Sequence, residues 1–376
     1  MNILQVIPYF SPKHGGDVNV CYNLSKSLAK KGHNVTIFTT DFEFDEKYYT
    51  SLSDIQMIPF HCSINFDLFL YSPKMKKQLK NDIKNFEIIH LHGFRTYQNV
   101  IVHYYAKKFG IPYVLQAHGD IPIILEKQNL KKLYDTFWGN SILKDASKVL
   151  ALNKTEAGYY QDMKVDKGKI EIVPNGIDLT EYINLPKKGQ FRNKYSINND
   201  EKIVLYVGRL HKSKGLELLI KSFSDVTKKL NDTKLVLIGP DDGYQSVLEK
   251  SISLLDIHDK VIFTGFVSTD IKKMALVDAD AFVTPRFSGF PVTFLESCAC
   301  GTPLITTNNG DHLNWINNNV GYVVDYDRYH LKEAILKILN DEELKKRFQD
   351  KGQKLISQMF NWTEISETVE DIYYNI

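Results

Sequence analysis

Short apolar runs alternate with helical patterns twice along this chain, and that rhythm limits its fold more than any other feature. In the first half the strand-like runs lie at 3–7, 34–39, 88–91, 113–116, 148–152 and 170–173. In the second they lie at 203–207, 235–238, 261–264, 281–284, 304–306 and 321–324. Helical periodicity fills the gaps: across 215–229, Leu216, Leu219, Ile220, Phe223 and Val226 share one face. Such alternation implies parallel sheets covered by helices on both sides. A polar stretch at 179–200, carrying Pro186 and Gly189, separates the two series, and Pro174-Asn-Gly-Ile-Asp178 reads as the turn entering it. The expected class is therefore α/β, with two Rossmann-like domains at 1–180 and 181–360 facing each other across a cleft. The 376 residues suffice for two such domains. In open sheets of this kind ligands sit beyond the carboxyl ends of the strands.

Charge and cysteine usage narrow the class further. A formal net charge of +2 argues against a dedicated nucleic-acid binder. The segment Met1-Asn-Ile-Leu-Gln-Val-Ile-Pro8 has no basic region or cleavage site and reads as a first strand rather than a signal peptide. No apolar run is long enough to span a bilayer. Cys21, Cys62, Cys298 and Cys300 form no CxxC and read as reduced structural thiols. A cytoplasmic protein is expected.

Four motifs fall at strand ends. Tyr9-Phe-Ser-Pro-Lys-His-Gly-Gly-Asp17 follows the first strand, and its pair Gly15 and Gly16 lets backbone amides approach a ligand. It is not a GxGxxG, so a nicotinamide fingerprint is absent. Gly208-Arg-Leu-His-Lys-Ser-Lys-Gly215 places Arg209 and Lys214 where a strand hands over to a helix, a combination suited to a diphosphate. In Val114-Leu-Gln-Ala-His-Gly-Asp120, His118 follows a strand and is able to meet a sugar hydroxyl or a leaving group. His90 and His92 have an HxH spacing that hints at metal, but nothing else supplies ligands, and they read as structural or acceptor-side. The fourth motif runs from Pro285 to Ile305. A short helix is expected to begin near Pro291, a residue suited to the first helical turn, freeing the amides of Val292 and Thr293 for phosphate oxygens. Glu296 then lies one turn further in, flanked by Phe294, Leu295 and Ala299. A carboxylate in that setting costs free energy unless something binds it, and ribose hydroxyls are suitable partners.

Together these motifs resemble the retaining glycosyltransferases of family four, the glycosyl transferases group 1, with the GT-B fold. The resemblance runs through nearly the whole chain. It is carried by Gly-Arg-Leu-x-x-x-Lys-Gly at 208–215, Glu296-x-x-x-x-Gly-Thr-Pro303, Pro-Asn-Gly-Ile-Asp at 174–178, and a closing Asn361-Trp-Thr363. It implies a first domain for the acceptor, a second for a nucleotide sugar, and a helix over 361–376 crossing back onto the first. Arg209 and Lys214 match the diphosphate-binding pair, Gly16 the glycine whose amide faces the diphosphate, and His118 the histidine near the donor sugar. Glu296 matches the ribose-binding carboxylate, and Gly265-Phe266-Val267 the segment beside the base. The stretch Ser288, Gly289, Phe290, Pro291, Val292 and Thr293 matches the donor loop. The family keeps the anomeric configuration and usually needs no metal or other cofactor; no DxD motif stands at a matching site here. UDP or GDP is the expected nucleotide. Two positions depart from the pattern: Ser288 stands where a second Glu is usual, and Gly310-Asp311 where a Gly pair is common, so that Asp311 offers an extra carboxylate.

The acceptor is expected to be a glycan, a lipid-linked sugar or a polysaccharide precursor. The segment 127–138 mixes Lys127, Lys131 and Lys132 with Leu130, Leu133, Phe137 and Trp138, and 74–80 is also basic. A helix of that kind either packs its apolar stripe on the domain or lies on an anionic membrane surface, giving a peripheral contact at the inner face. Two other functions fit parts of the pattern. One is a nucleotide-sugar-binding partner without activity, suggested by Ser288. The other is a GT-B sugar-nucleotide epimerase, which the Arg209, Lys214 and Glu296 set fits less well.

Overall fold

A computed structural model describes residues 1–11, 16–50, 55–66, 69–123, 127–287, 289–308 and 313–376, apart from the side chains of residues 47 and 48. Gly15, Ser288 and Asp311 lie outside the described residues. The chain divides into two compact units, one of residues 1–176 with 362–376 and the other of residues 177–361. The change-over expected at 180/181 thus falls at 176/177, where the backbone of Ile177 pairs with Asn361.

The first unit is built on a parallel sheet of β1 (Asn2–Val6), β2 (Asn34–Thr40), β3 (Gln56–Phe60), β6 (Ile88–His92), β7 (Tyr113–Gln116), β8 (Lys148–Ala151) and β9 (Ile170–Ile172). A small antiparallel hairpin of β4 (Ile64–Phe66) and β5 (Phe69–Tyr71) stands apart from it. The sheet order is β3-β2-β1-β6-β7-β8-β9, so the winding reverses between β1 and β6. Apolar runs such as Ile3, Leu4 and Val6 are buried to 1 % exposure or less, as a strand covered on both faces requires. One face packs Leu4, Leu91, Leu115 and Val149 against Val102 and Tyr160. The other packs Ile3, Val114 and Leu150 against Leu24 of the helix Gly16–Lys30 and Trp362, Ile365, Val369 and Tyr373 of the helix Trp362–Tyr374. The last helix of the described chain is therefore a core element of the first unit.

The second unit repeats the scheme. Its strands are β10 (Lys202–Val207), β11 (Thr233–Ile238), β12 (Val261–Gly265), β13 (Ala281–Thr284), β14 (Leu304–Thr307) and β15 (Gly321–Val324), in the order β12-β11-β10-β13-β14-β15, all parallel. The winding reverses between β10 and β13. Periodicity expects a helix across 215–229, and the helix runs Leu216–Thr227.

Three strands escape the sequence reading. β3 contains Pro59, which lacks a backbone donor and is tolerated because β3 is the edge of its sheet. β4 and β5 have three residues each, too few to show a period. The stretch 179–200 is also more ordered than its polarity suggests. Asp278 accepts from the amides of Gly189, Phe191 and Arg192, and the Arg192 guanidinium reaches Asp280 at 3.5 Å, which fastens this segment to the second unit.

Two glycines at the carboxyl end of β10 and β11 pack without room for a side chain. A Cβ on Gly239, whose φ is +143°, would sit 2.0 Å from the Gly208 carbonyl oxygen. Gly239→Ala is expected to destabilise the protein by at least about 3 kcal/mol, read as a lowered midpoint in urea.

Candidate functional site

In the second unit, the site residues stand where β10, β12 and β13 end. Arg209 follows β10 on a loop held by Gly208 N–H donating to Ile238 O at 2.9 Å and Leu210 N–H donating to Pro240 O at 2.9 Å. Its exposed guanidinium pairs with Asp242 at 2.6 Å. An exposed pair of this kind contributes little stability, so an anion can displace the partner cheaply. Lys214 has no acidic or polar side-chain partner among the described residues. Burial, and then the charge of Arg209, lowers its pKa. Gly215 takes φ +71° and passes so close to Pro285 and Tyr326 that an added Cβ would meet them at 3.2 and 3.0 Å. That approach brings Lys214 beside the loop leaving β13. Tyr326 also carries Arg286 over its ring at 4.4 Å.

The helix after β13 runs Val292–Ala299. Pro291 is its N-cap and not part of its first turn, because its backbone stays extended at ψ 123°. The amides of Val292 and Thr293 have no acceptor among the described residues, as expected for a helix start without a side-chain cap. Glu296, 6 % exposed, takes Lys272 Nζ at 2.6 Å and the Tyr182 hydroxyl at 3.4 Å, both on Oε1. Its Oε2 is buried with no partner among the described residues. A buried carboxylate oxygen without a donor is an unsatisfied acceptor, and a hydroxyl-bearing ligand supplies what it lacks. Gly265 ends β12 at φ +67° with open space beside it; Phe266 next to it is 75 % exposed, and Val267 packs on the core. Phe290 does not turn outward. It stacks on Trp315 at 5.7 Å and lies against Phe360 at 5.4 Å, contacts that pack the loop onto the unit.

In the first unit, the helix Gly16–Lys30 starts at Gly16, beside which a Cβ would meet nothing within 4 Å. Asp17 accepts from the Tyr9 hydroxyl at 2.7 Å. His118, at φ 55°, bonds to His92 at 2.9 Å, and the rings of His90, His92 and His118 stack in sequence. Burial lowers the pKa of His90 to about 3 and of His118 to about 4, and holds His92 well below its ordinary value. The HxH spacing therefore serves a buried hydrogen-bonded array. The first unit also holds a pocket of about 430 Å³ lined by Phe66, Phe69, Leu130, Leu133 and Trp138. Arg95 beside it is clamped to Asp135 at 2.8 and 2.9 Å. Of the apolar residues at 127–138, Tyr134 packs inward, whereas Leu133 and Phe137 are 54 % and 64 % exposed.

Sequence reasoning missed Lys272, Tyr182 and Asp242. Lys272 and Tyr182 are 24 and 114 residues from Glu296, and no local pattern links them. Among the described residues the one group with metal-ligand geometry is Asp325, Asp327 and His330. Asp327 there caps the helix Arg328–Asn340 by accepting from the His330 amide at 2.9 Å.

The chain is similar in sequence and in fold to known proteins. The chain matches the description "Glycosyltransferase Family 4" over residues 14–181 and "Glycosyl transferases group 1" over residues 187–355. It overlays on the crystal structure of Anabaena HepE in complex with UDP and glucose with a TM-score of 0.83, at 17 % identity and full coverage of both chains. The fold is thus the two-domain Rossmann-like GT-B fold. The chain is 26 % identical to the N-acetyl-alpha-D-glucosaminyl L-malate synthase of Bacillus anthracis, covering 97 % of this chain and 95 % of that one. It is also 26 % identical to the alpha-monoglucosyldiacylglycerol synthase of Streptococcus pneumoniae, covering 88 % and 76 %. The chain belongs to the group 1 glycosyltransferases of the family-four type, and it is a transferase. No helix of the described residues is long and apolar enough to cross a membrane.

The buried histidines set a pH dependence. The unfolded chain takes up their protons as pH falls below about 6.5, while in the folded chain His90 does so only near 3, His118 near 4 and His92 well below its ordinary value. Their contribution is therefore complete above pH 6.5 and is lost as pH falls through that window. Lowering the pH from 7 to 5 is expected to cost about 2 kcal/mol for each fully buried neutral ring, His90 and His92, seen as a falling urea midpoint.

Proposed function

We propose that this glycosyltransferase moves a sugar, with retention of anomeric configuration, from a nucleoside diphosphate sugar to a lipid-linked or glycan acceptor. The observation that carries the reading is the buried Glu296 carboxylate, whose Oε2 lacks a donor one turn inside a helix start with free amides. Ribose hydroxyls satisfy that oxygen, and the amides of Val292 and Thr293 suit phosphate oxygens. Arg209 and Lys214 are assigned to the diphosphate. Gly16 and His118 are assigned, by the family resemblance, to the diphosphate and the donor sugar. Phe266 is a ready surface for the base. UDP is the first nucleotide to test, because HepE was solved with it.

In the step proposed, the bond from the anomeric carbon to the diphosphate oxygen breaks. The acceptor oxygen bonds to that carbon on the same face, and its proton passes to the departing diphosphate. Negative charge grows on the leaving group, so cations placed there favour the transition state over the ground state. The residues named suffice for this chemistry without a resident metal. For the acceptor, the first unit's pocket and its exposed Leu133 and Phe137, with Lys127 and Lys131 nearby, favour an amphiphilic molecule and a peripheral membrane contact. The Streptococcus relative is a glucosyldiacylglycerol synthase by name.

Lys214→Ala is expected to lower turnover by on the order of 100-fold or more, equivalent to about 2–4 kcal/mol in the barrier, with the fold intact by circular dichroism. Turnover within a few-fold of the parent would remove Lys214 from the machinery. Thermal shift with UDP-, GDP- and ADP-sugars and their bare nucleotides tests the site itself. The nucleotide that binds should raise the melting temperature of the parent and raise that of Glu296→Gln much less. No shift with any of them would sink the reading.

A further inference from the structure

The donors around Glu296 are unevenly placed. Lys272 Nζ donates to Oε1 at 2.6 Å, and the Tyr182 hydroxyl donates to the same oxygen at 3.4 Å. Oε2 is buried and has no partner among the described residues. A carboxylate offers about two acceptor sites on each oxygen, so these two donors fill Oε1 and leave Oε2 empty. A buried acid with only a structural role gains most when its donors are spread over both oxygens. The direction of each bond is also settled, because an ammonium can only donate and a carboxylate can only accept.

Both donors are themselves held in place. Lys272 is the fourth residue of the helix Thr269–Asp278, whose N-cap Ser268 accepts from the Ile271 amide at 3.4 Å. Beside it, Lys273 Nζ donates to the Glu181 carbonyl at 2.9 Å and stands 4.8 Å from the centre of the Tyr182 ring. The phenol is thus fixed from the same helix that carries Lys272. Docking of that helix does not depend on the ion pair. Ala275 and Leu276 are buried in one apolar cluster with Leu295 and Cys298, and the Thr302 hydroxyl donates to the Leu276 carbonyl. A bridge that the packing does not need, made to one oxygen only, acts as an orienting contact. It is short and charge-assisted, and it stops the carboxylate from turning about its broad last torsion.

We propose that Lys272 is a positioning residue, assisted by Tyr182, that holds the Glu296 carboxylate with Oε1 occupied and Oε2 presented to the ligand. This rests on the reading of Glu296 as the ribose-holding acid. Its consequence is selection for a ribonucleotide. A ribose hydroxyl donates into a fixed, charged acceptor, whereas a sugar without hydroxyls leaves Oε2 buried and unpaired. Without the ammonium the carboxylate turns freely, and a buried acid with no partner gives up its charge or draws in water. Either way the ribose loses the acceptor that distinguishes it.

Calorimetric titration of the full chain with UDP and with 2′,3′-dideoxy-UDP tests the proposal, with GDP and its dideoxy form as a second pair. The parent should bind one ribonucleotide about ten- to a hundredfold more tightly than its dideoxy form. In Lys272→Met that ratio should fall to about threefold or less, through lost ribonucleotide affinity. Lys272→Gln, which removes the charge with less change in polarity, should behave likewise, and Lys272→Arg should regain most of the ratio. A merely structural bridge would weaken both forms alike, so an unchanged ratio in folded Lys272→Met or Lys272→Gln overturns the proposal. A parent that binds both forms equally overturns it without any variant. Glu296→Ala separates the proposal from the reading beneath it. A ratio that persists in Glu296→Ala removes Glu296 from the ribose, and the proposal falls with it. A ratio lost in Glu296→Ala but kept in Lys272→Met removes Lys272 alone.

Discussion

Parallel pairing at two places, β1 with β6 and β10 with β13, decides where everything else in this protein can stand. At each place the winding of the sheet reverses, so the loops leaving the two strands diverge and open a crevice above their carboxyl ends. Backbone hydrogen bonds set that crevice, and side chains only decorate it. In the second unit the decorations are Arg209, Lys214, the start of the helix Val292–Ala299 and, one turn inside it, Glu296. The tight contacts of Gly208 with Gly239 and of Gly215 with Pro285 and Tyr326 show how closely the strand ends and their loops must pass.

The two units use buried polarity differently. In the second, Glu296 is half satisfied: Lys272 and Tyr182 hold one oxygen and leave the other waiting. An incomplete shell of that sort is a cost carried by the empty protein and relieved by a ligand. In the first, the array from His118 to Tyr373 passes hydrogen bonds from one group to the next, and burial keeps its rings neutral.

Much of this was readable from the chain because periodicity and strand-end motifs are local. The helix Leu216–Thr227, both sheets and the placement of Arg209, Lys214, His118 and Glu296 beyond strand ends follow from patterns a few residues long. What escaped is what depends on distance along the chain. Lys272 and Tyr182 reach Glu296, and Tyr373 reaches Gln5 and His90 across 368 and 283 residues, only once the sheets have formed. Short elements escaped for a different reason: β4 and β5 have too few residues to show a period, and Pro59 in β3 argues against a strand unless the edge is already known. The packing of Phe290, in the donor-loop motif, on Trp315 and Phe360 likewise depends on residues far along the chain.

The helix Trp362–Tyr374 has a consequence for how the molecule is made. It covers Ile3, Val114 and Leu150, yet 185 residues of the second unit, 177 to 361, are synthesised before it. At ribosomal speeds of about 5–20 residues per second, the first unit's apolar face waits roughly ten to forty seconds for its lid. During that interval this face of the sheet has only the helix Gly16–Lys30 to cover it, and the polar groups Gln5 and His90 lack the Tyr373 hydroxyl. The order of synthesis thus makes the first half of the polypeptide the last to reach its finished core.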